Sequence, residues 1–441
     1  MMLKNKNIFL AVAVFIGTHS FGQSALTLER CQQLAAEHYP LVAQYDLIDR
    51  AADFTLSNIS TVYLPQISLN GQASYQTDVT KMRLKPDVQR LLDGIGAALG
   101  TTLSPDDLIE TMHKDQYKAY IEAAQVIWDG GQTSGGKKVV RATSEVEKQK
   151  IAVSLYAISA KINQLYFGIL SANEQEKLLD AYYSDLQAVE DMANAALKNG
   201  VALTSDVDLV KVERLNIDQK KIELEAAKSA FLQVLSAFIG VKLDENTALQ
   251  IPADVAAHTN SNLRPELQLF SLQRSLHNAQ RQTITAQNMP TLGLFVQGGY
   301  GSPALNMLDP AFRPYAIGGV RFTWNFGNLY SRKNDLKTIE NNLQMVDVQE
   351  QTFLFNNQLE RNSLLPEIEK YKKLMDKDEE IVRLRANVKR TSESKYRNGV
   401  YEMKDLIADT NAENLAKQTK SLHYIQYLTA VYDYKLTTNN K

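Results

Sequence analysis

A short alternating stretch, present twice, decides the fold. Residues 64–75 read LPQISLNGQASY, and residues 289–300 read MPTLGLFVQGGY. After each proline, apolar or small side chains recur at every second position, and in the first stretch the residues between them are polar. Because the side chains of a strand alternate between two faces, each stretch predicts a β-strand with one apolar and one polar face.

The blocks around these strands also recur, in the same order. Pro40, Pro65 and Tyr75 are matched 225 residues later, Trp128 is matched 196 residues later, and an Asn-Gly-Val turn at 199–201 is matched 199 residues later. Three recurring blocks predict an internal duplication. The separation between matched residues falls from 225 before the second strand to 196 within it. The first copy therefore has 29 additional residues between its two strands, which we interpret as an enlarged loop. The predicted organisation is a first repeat over 23–240, a linker over 241–262 and a second repeat over 263–441.

Each repeat predicts the same succession of elements. A helix opens the repeat, two strands follow, and a very long helix with a heptad-like apolar seam and interspersed charges comes next, packed in water. An Asn-Gly turn and a returning helix close the repeat, with Thr204 or Ser205 as the expected N-cap in the first copy. Pro366 predicts a bend in the second long helix. The predicted bounds are about 40–62, 66–77, 117–128 and 137–199 in the first repeat, and about 265–287, 291–302, 314–326 and 333–398 in the second.

The composition excludes several classes of protein. Lys and Arg total 48 against 50 Asp and Glu, so no basic surplus indicates a nucleic-acid partner. The single cysteine, Cys31, excludes a disulfide framework, and we expect it to be packed and inert. Residues 1–22 predict an export signal, with two lysines before a short apolar run, and Cys31 lies too far past it to carry an acyl anchor. No later window approaches the ~18 apolar residues of a membrane-spanning helix, so any membrane insertion would use strands.

The number of strands predicts an oligomer. Four strands cannot close a barrel, and an open edge in lipid leaves backbone groups unpaired. Two chains would supply eight strands, whose interior side chains would largely fill, whereas three chains would supply twelve and leave a lumen. Both tryptophans, Trp128 and Trp324, lie at equivalent strand ends, which is typical of side chains that anchor a barrel at the membrane–water interface.

These features together resemble the TolC-like outer-membrane efflux channels. The resemblance covers essentially the whole chain after the export signal and rests on the passage at 64–69, the Trp-Asp-Gly-Gly segment at 128–131 and the two Gly-plus-Asp turns. It implies a mainly α fold with membrane β-structure, as a homotrimer with a 12-stranded β-barrel in outer-membrane lipid and a long periplasmic α-barrel. It also implies a passive exit duct for an inner-membrane transporter, joined through a periplasmic adaptor. Protein secretion through the same channel is one alternative, and a periplasmic coiled-coil adaptor or scaffold is another.

The resemblance also implies roles for residues at the distal helical turns. Adaptor contact falls on Gly200, Val201, Gly399 and Val400. Asp405 matches a position that rings the pore with carboxylates, which would attract cations.

The other pore-gate candidates depart in part from the family pattern. Tyr396 matches a tyrosine that bonds to an acidic residue of the first turn, here Asp206. Tyr401 replaces a latch arginine, whose charge Arg397 could supply, and Ala408 replaces a second ring acid, with Asp409 next to it. The alternative for Asp206 and Asp405 is ordinary negative charge at a helix N-terminus.

The sequence predicts neither an enzyme nor a cofactor or metal site. The segment Gly131–Lys138 nearly matches a phosphate-binding loop, but Lys138 stands where the magnesium-binding hydroxyl is required. A flexible joint between strand and helix is the better interpretation. The six histidines show no ligand spacing, and no catalytic constellation is discernible.

Overall fold

The computed structural model describes residues 25–80, 83–103, 113–245, 247–254 and 262–439; the predicted export signal lies outside them. The elements are listed in chain order as α1 (Leu28–His38), α2 (Gln44–Ser60), β1 (Gln66–Tyr75), α3 (Pro86–Leu99), β2 (Asp115–Trp128), α4 (Gln132–Lys198), α5 (Thr204–Ile239), α6 (Pro265–Ala286), β3 (Thr291–Ser302), β4 (Arg313–Thr323), α7 (Asn328–Arg397) and α8 (Met403–Thr438). Short 3-10 turns at Pro40–Ala43 and Thr61–Tyr63 flank α2. None of the described helices is long and apolar enough to cross a bilayer.

The four strands form one antiparallel sheet in the order β1-β2-β3-β4. β1 and β4 are its two edges, and each pairs with one neighbour only. The ladder is regular except for a bulge in β2 between Val126 and Trp128. The strands therefore follow each other in space as they do in sequence, and the first hairpin is joined directly to the second.

The chain divides into two compact units. The first contains the described residues within Met1–Val42, together with Ser154–Arg264 and Asn356–Lys441. The second contains Ala43–Val153 and Pro265–Phe355, and so includes the whole sheet.

The first unit has two apolar clusters. One is built on α1, the middle of α4, the end of α5 and α8, and includes the fully buried Cys31 and Tyr166. The Tyr166 hydroxyl donates to the carbonyl oxygens of Leu26 and Gln250, 2.6 Å each, which ties both flanking segments to this core. The second cluster lies where α4, α5 and α8 approach the helical turns, and Leu186, Val210 and Leu406 are fully buried in it.

Burial explains the inert character expected of Cys31. Its side chain is completely inaccessible, and burial, assisted by the charge of Glu29, raises the pKa of the thiol to about 12. The thiolate, which is the reactive form, is therefore almost absent near neutral pH.

Several elements differ from the bounds that the sequence predicts. β3 occupies the predicted range, but β1 ends two residues early, at Tyr75, and β4 ends three residues early, at Thr323. Both long helices begin five residues earlier than expected, and α7 continues through Pro366. The segment Gly131–Lys138, which the sequence predicts as a flexible joint, is therefore helical from Gln132 onwards. The extra residues of the first repeat, interpreted as a loop, contain α3, while residues 81–82 and 104–112 of that segment lie outside the described part.

Candidate functional site

One face of the sheet is apolar across all four strands. The strand register places Leu69, Ile121, Gly298 and Ala316 side by side, and the rows on either side of this one are made of similar residues. The large side chains on this face have no cover in the described chain, since Ile67 and Leu69 are 75% and 78% exposed. An exposed apolar face of this extent marks an interaction surface.

Aromatic side chains border this face at the end nearest the helices. Trp128 and Trp324, the two predicted interface anchors, are about half exposed, and the indole of Trp324 donates to the carbonyl oxygen of Asn288 at 3.2 Å. Trp324 lies one residue past β4, where its ring packs against Phe326 at 4.7 Å between centroids. The indole of Trp324 thus keeps part of its ring surface exposed while its N–H is bonded to the backbone.

A second aromatic border, not predicted from the sequence, lies at the opposite end of the sheet. Phe312 stacks between Tyr117 and Tyr300, at 6.4 Å and 5.7 Å between ring centroids, and Tyr75 ends β1 nearby in the register. Three of these rings are about half exposed, and that of Tyr75 is more exposed. The available signal was that each period-two apolar pattern ends in tyrosine.

The reverse face of the sheet is polar and carries charge. Ser68, Asn70 and Gln72 of β1 share it with Glu122 of β2 and Arg321 of β4. The Arg321 guanidinium donates to Glu122 at 2.9 Å and lies 4.7 Å above the ring of Phe295 on the strand between them. This face can therefore border water.

Asp129 fixes the connection between β2 and α4. Its carboxylate accepts the backbone N–H groups of Gly131 at 2.9 Å and Thr133 at 2.6 Å, and the hydroxyl of Tyr63 at 3.2 Å. Burial raises the pKa of this carboxyl, but the hydrogen bonds from Thr133, Gly131 and Tyr63 outweigh that effect and hold it below its ordinary value. In the second repeat Asn325 accepts the N–H of Gly327 at 2.9 Å in the same way.

The same connection shows why the near match to a phosphate-binding loop does not form a phosphate site. A phosphate loop binds its ligand with free N–H groups at a helix N-terminus. Here the carboxylate of Asp129 already accepts two of those N–H groups, and its negative charge would repel a phosphate. Among the described residues no cluster of His, Cys, Asp and Glu could hold a metal ion.

The two distal turns, predicted as adaptor contacts, have the same geometry. Gly200 and Gly399 both have φ of 70°, the left-handed conformation that favours glycine. The backbone N–H of Val201 donates to the carbonyl oxygen of Ala196, and that of Val400 donates to the carbonyl oxygen of Lys395, each at 3.0 Å. These hydrogen bonds cap the preceding long helices. In a helix that ends at such a glycine, an apolar residue after the glycine usually packs against the last turns of that helix. Val201 and Val400 do not, since they are 78% and 74% exposed.

The turn between α4 and α5 brings Asp206 close to Tyr396 without joining them. The Asp206 carboxylate accepts the backbone N–H of Leu203 at 2.9 Å, and Leu203, not Thr204 or Ser205, is the N-cap of α5. The Tyr396 hydroxyl is buried and has no hydrogen-bond partner in the described chain. Burial, and then the charge of Asp206, raises the pKa of Tyr396. The bond implied by the resemblance is therefore absent from this conformation.

The turn between α7 and α8 is held by a different contact. Asp409 accepts hydrogen bonds from the hydroxyls of Ser392 at 2.5 Å and Tyr401 at 3.1 Å. Tyr401 thus attaches the turn to α8. The hydrogen bond to Asp409 raises the pKa of Tyr401, Ser392 opposes this effect, and burial and the charges of Asp409 and Asp405 add to it, so the net pKa is raised. Asp405 lies in the first turn of α8, partly exposed, while Arg397 is exposed and forms no ion pair within the part of the chain described.

This fold has counterparts among outer-membrane proteins of known structure. The crystal structures of VceC from Vibrio cholerae, CmeC from Campylobacter jejuni and MtrE from Neisseria gonorrhoeae share it with this chain. Their sequence identities are 11%, 13% and 14%, and their TM-scores are 0.63, 0.62 and 0.61. The matches cover 94%, 99% and 93% of this chain and 96%, 94% and 88% of theirs.

These structures confirm the predicted resemblance to TolC-like outer-membrane channels at the level of the fold. Comparisons with protein-family models and with curated proteins found no match.

Proposed function

We propose that three copies of this chain form an outer-membrane channel, with the twelve strands closed into one barrel and the long helices continued as a periplasmic tube. The observation that carries the proposal is the open sheet, apolar on one face and polar on the other. Pairing β4 of one copy with β1 of the next satisfies the backbone groups of both edges, as lipid requires. The apolar face then contacts lipid and the polar face lines the lumen.

The length of the sheet supports a membrane position. Trp128 and Tyr117 of β2 lie at its two aromatic borders, eleven residues apart in the sequence. This separation corresponds to roughly 36 Å along the strand at ~3.3 Å per residue. At a tilt of about 40° it spans about 28 Å across the bilayer, close to the ~30 Å thickness of the hydrocarbon core. The two borders would therefore lie at the two membrane interfaces.

In this proposal the chain is not an enzyme. It provides a passive exit for small molecules delivered by an inner-membrane transporter through a periplasmic adaptor. The exposed Val201 and Val400 are the proposed adaptor contacts, together with the glycines before them, because apolar side chains left uncovered at two like-shaped turns fit a partner surface. Three Asp405 carboxylates would meet around the axis and bind cations at the closed end.

Cell fractionation and single-channel recording test the proposal. Recovery in the outer membrane, and defined conductance after reconstitution in a planar bilayer, are the expected results. Recovery of the full chain in the soluble periplasmic fraction would refute the channel and favour the scaffold alternative. Crosslinking from a photoreactive group at Val201 or Val400 should capture the adaptor.

The gate is tested separately by Asp405→Asn. We expect this variant to weaken block of the channel by multivalent cations, because the substitution removes one carboxylate per subunit. Asp208→Asn is the matched control, since Asp208 is an exposed carboxylate of α5 with no assigned role. Equal block in wild type and Asp405→Asn would remove Asp405 from the pore.

A further inference from the structure

The 29 additional residues of the first repeat contain an amphipathic helix with an uncovered apolar stripe. α3 connects β1 to β2 at the end of the sheet bordered by Tyr75 and Tyr117. At 100° per residue its apolar side chains fall within a stripe about 100° wide. The exposed members are Val88 (46%), Leu91 (66%), Ile95 (43%) and Leu99 (69%).

The other side of α3 is polar and satisfied within the helix. Gln89 donates to Asp93 at 3.0 Å, and Arg90 lies 3.9 Å from Asp87. A helix of 14 residues is marginal in water without tertiary packing. The uncovered stripe therefore calls for an apolar environment that the described chain does not supply.

The charges before the helix indicate what that environment is. Lys81, Arg83 and Lys85 alternate through the segment that enters α3, and the latter two are exposed. Asp78 precedes these basic residues and Asp87 and Asp93 lie within α3, while the remaining acidic residues of the connection follow the helix in the sequence, at Asp106, Asp107 and Glu110. A basic segment directly followed by an apolar stripe is typical of helices that lie on anionic lipid surfaces.

The second connection at this end of the sheet points to the same environment. Between β3 and β4, Leu305 and Met307 are each 58% exposed. Both connections thus expose apolar side chains just beyond the outer aromatic border.

We propose that α3 lies flat on the outer leaflet of the membrane, with its stripe at the boundary between head groups and acyl chains and with Arg83 and Lys85 against anionic phosphate head groups. This inference rests on the proposed membrane position of the sheet. It assigns a lipid-binding role to the segment that distinguishes the first repeat from the second.

The test uses single cysteines labelled with an environment-sensitive fluorophore in the full chain, reconstituted in phosphatidylethanolamine vesicles containing phosphatidylglycerol. Cys31 stays unlabelled because it is buried and its pKa is raised. Leu91→Cys reports on the stripe, Asp93→Cys on the polar side of the same helix, and Leu69→Cys on the apolar face of the sheet. Nitroxide-bearing lipids quench labels in the bilayer, and iodide quenches labels in water.

We expect the Leu91 label to be quenched several-fold more by shallow nitroxide lipids than the Asp93 label, at a depth of about 5–10 Å, and to be protected from iodide. Replacing phosphatidylglycerol with a zwitterionic lipid, or introducing Arg83→Glu, should reduce that protection. Equal iodide quenching of the two labels would overturn the inference. So would a Leu91 label that neither quencher reaches and that crosslinks between subunits, because the occupant would then be a second copy of the chain.

The Leu69 label distinguishes a failure of the role of α3 from a failure of the membrane position of the sheet. If lipid quenches Leu69 but not Leu91, the membrane sheet stands and only the role of α3 fails. If lipid fails to quench Leu69, the proposed channel itself fails.

Discussion

Removing the carboxylate of Asp129 should loosen the start of the first long helix. The side chain is 5% exposed and accepts two backbone N–H groups in addition to the Tyr63 hydroxyl. Hydrogen bonds to a charged group contribute about 1.5 kcal/mol or more each. The exposed Tyr63 can turn to water, so Asp129→Ala should cost about 3 kcal/mol from the two backbone bonds alone.

Hydrogen exchange followed by mass spectrometry measures this loss locally. A change of about 3 kcal/mol corresponds to roughly a hundredfold faster exchange of the Gly131 and Thr133 amides, at tenfold per ~1.4 kcal/mol. Asn325→Ala is the matched control in the second repeat, because Asn325 accepts one N–H and carries no charge. It should cost about 1 kcal/mol. Exchange in Asp129→Ala within a factor of about 2 of wild type, under 0.5 kcal/mol, would refute the capping role.

The pH dependence provides a second check on Asp129. Its pKa is lower in the folded protein than the ordinary value of about 3.9 for an aspartate in an unfolded chain. The stabilisation is therefore complete above that value and is lost as the pH falls through the lower, folded pKa. The difference in exchange between wild type and Asp129→Ala should accordingly shrink only in acid. A difference that shrinks near neutral pH would contradict the assignment.

Three further predictions concern the first unit and the turns. Cys31 should resist iodoacetamide at pH 8 in the folded protein and react on unfolding, since burial raises its pKa to about 12; rapid labelling of the native state would contradict this. Gly399→Ala should cost about 1–2 kcal/mol in thermal unfolding, because the turn has φ of 70°, and an unchanged melting curve would argue against strain there. Lys389→Met should cost about 3 kcal/mol, because Lys389 is largely buried between Asp185 and Glu413. Burial raises the pKa of Glu413, but Lys417 and Lys389 hold the net value below the ordinary one, so the difference in melting temperature between wild type and Lys389→Met should shrink as the pH falls through the pKa of Glu413 in the folded protein.

The strands could be predicted closely because their signal is local. Alternation from Thr291 to Tyr300 sets one apolar face, and β3 follows it. β4 ends early because Asn325 forms a turn with Gly327, although Trp324 and Phe326 continue the same alternation in the sequence. The alternation of apolar and polar residues does not show where a side chain forms a hydrogen bond with the nearby backbone and so ends the strand.

The first residues of the long helices and the contacts of the gate candidates could not be predicted in detail. Both depend on carboxylates that can accept hydrogen bonds from more than one donor. The glycines after Asp129 suggested a flexible joint, but its carboxylate caps the helix and allows α4 to begin at Gln132. Asp206 was expected to accept from Tyr396, but it accepts from the nearer Leu203 backbone instead. Which donor a carboxylate binds depends on differences of a few ångströms in distance, and these cannot be calculated from the sequence alone.

The two unpaired sheet edges have a consequence for biogenesis. A newly exported copy would carry ten or more residues of open backbone on each side, next to an apolar face. Such edges join any free strand that they meet, including those of unrelated proteins in transit. In the proposed channel, pairing with the strands of neighbouring subunits removes both edges, so assembly itself would protect the chain from such pairing.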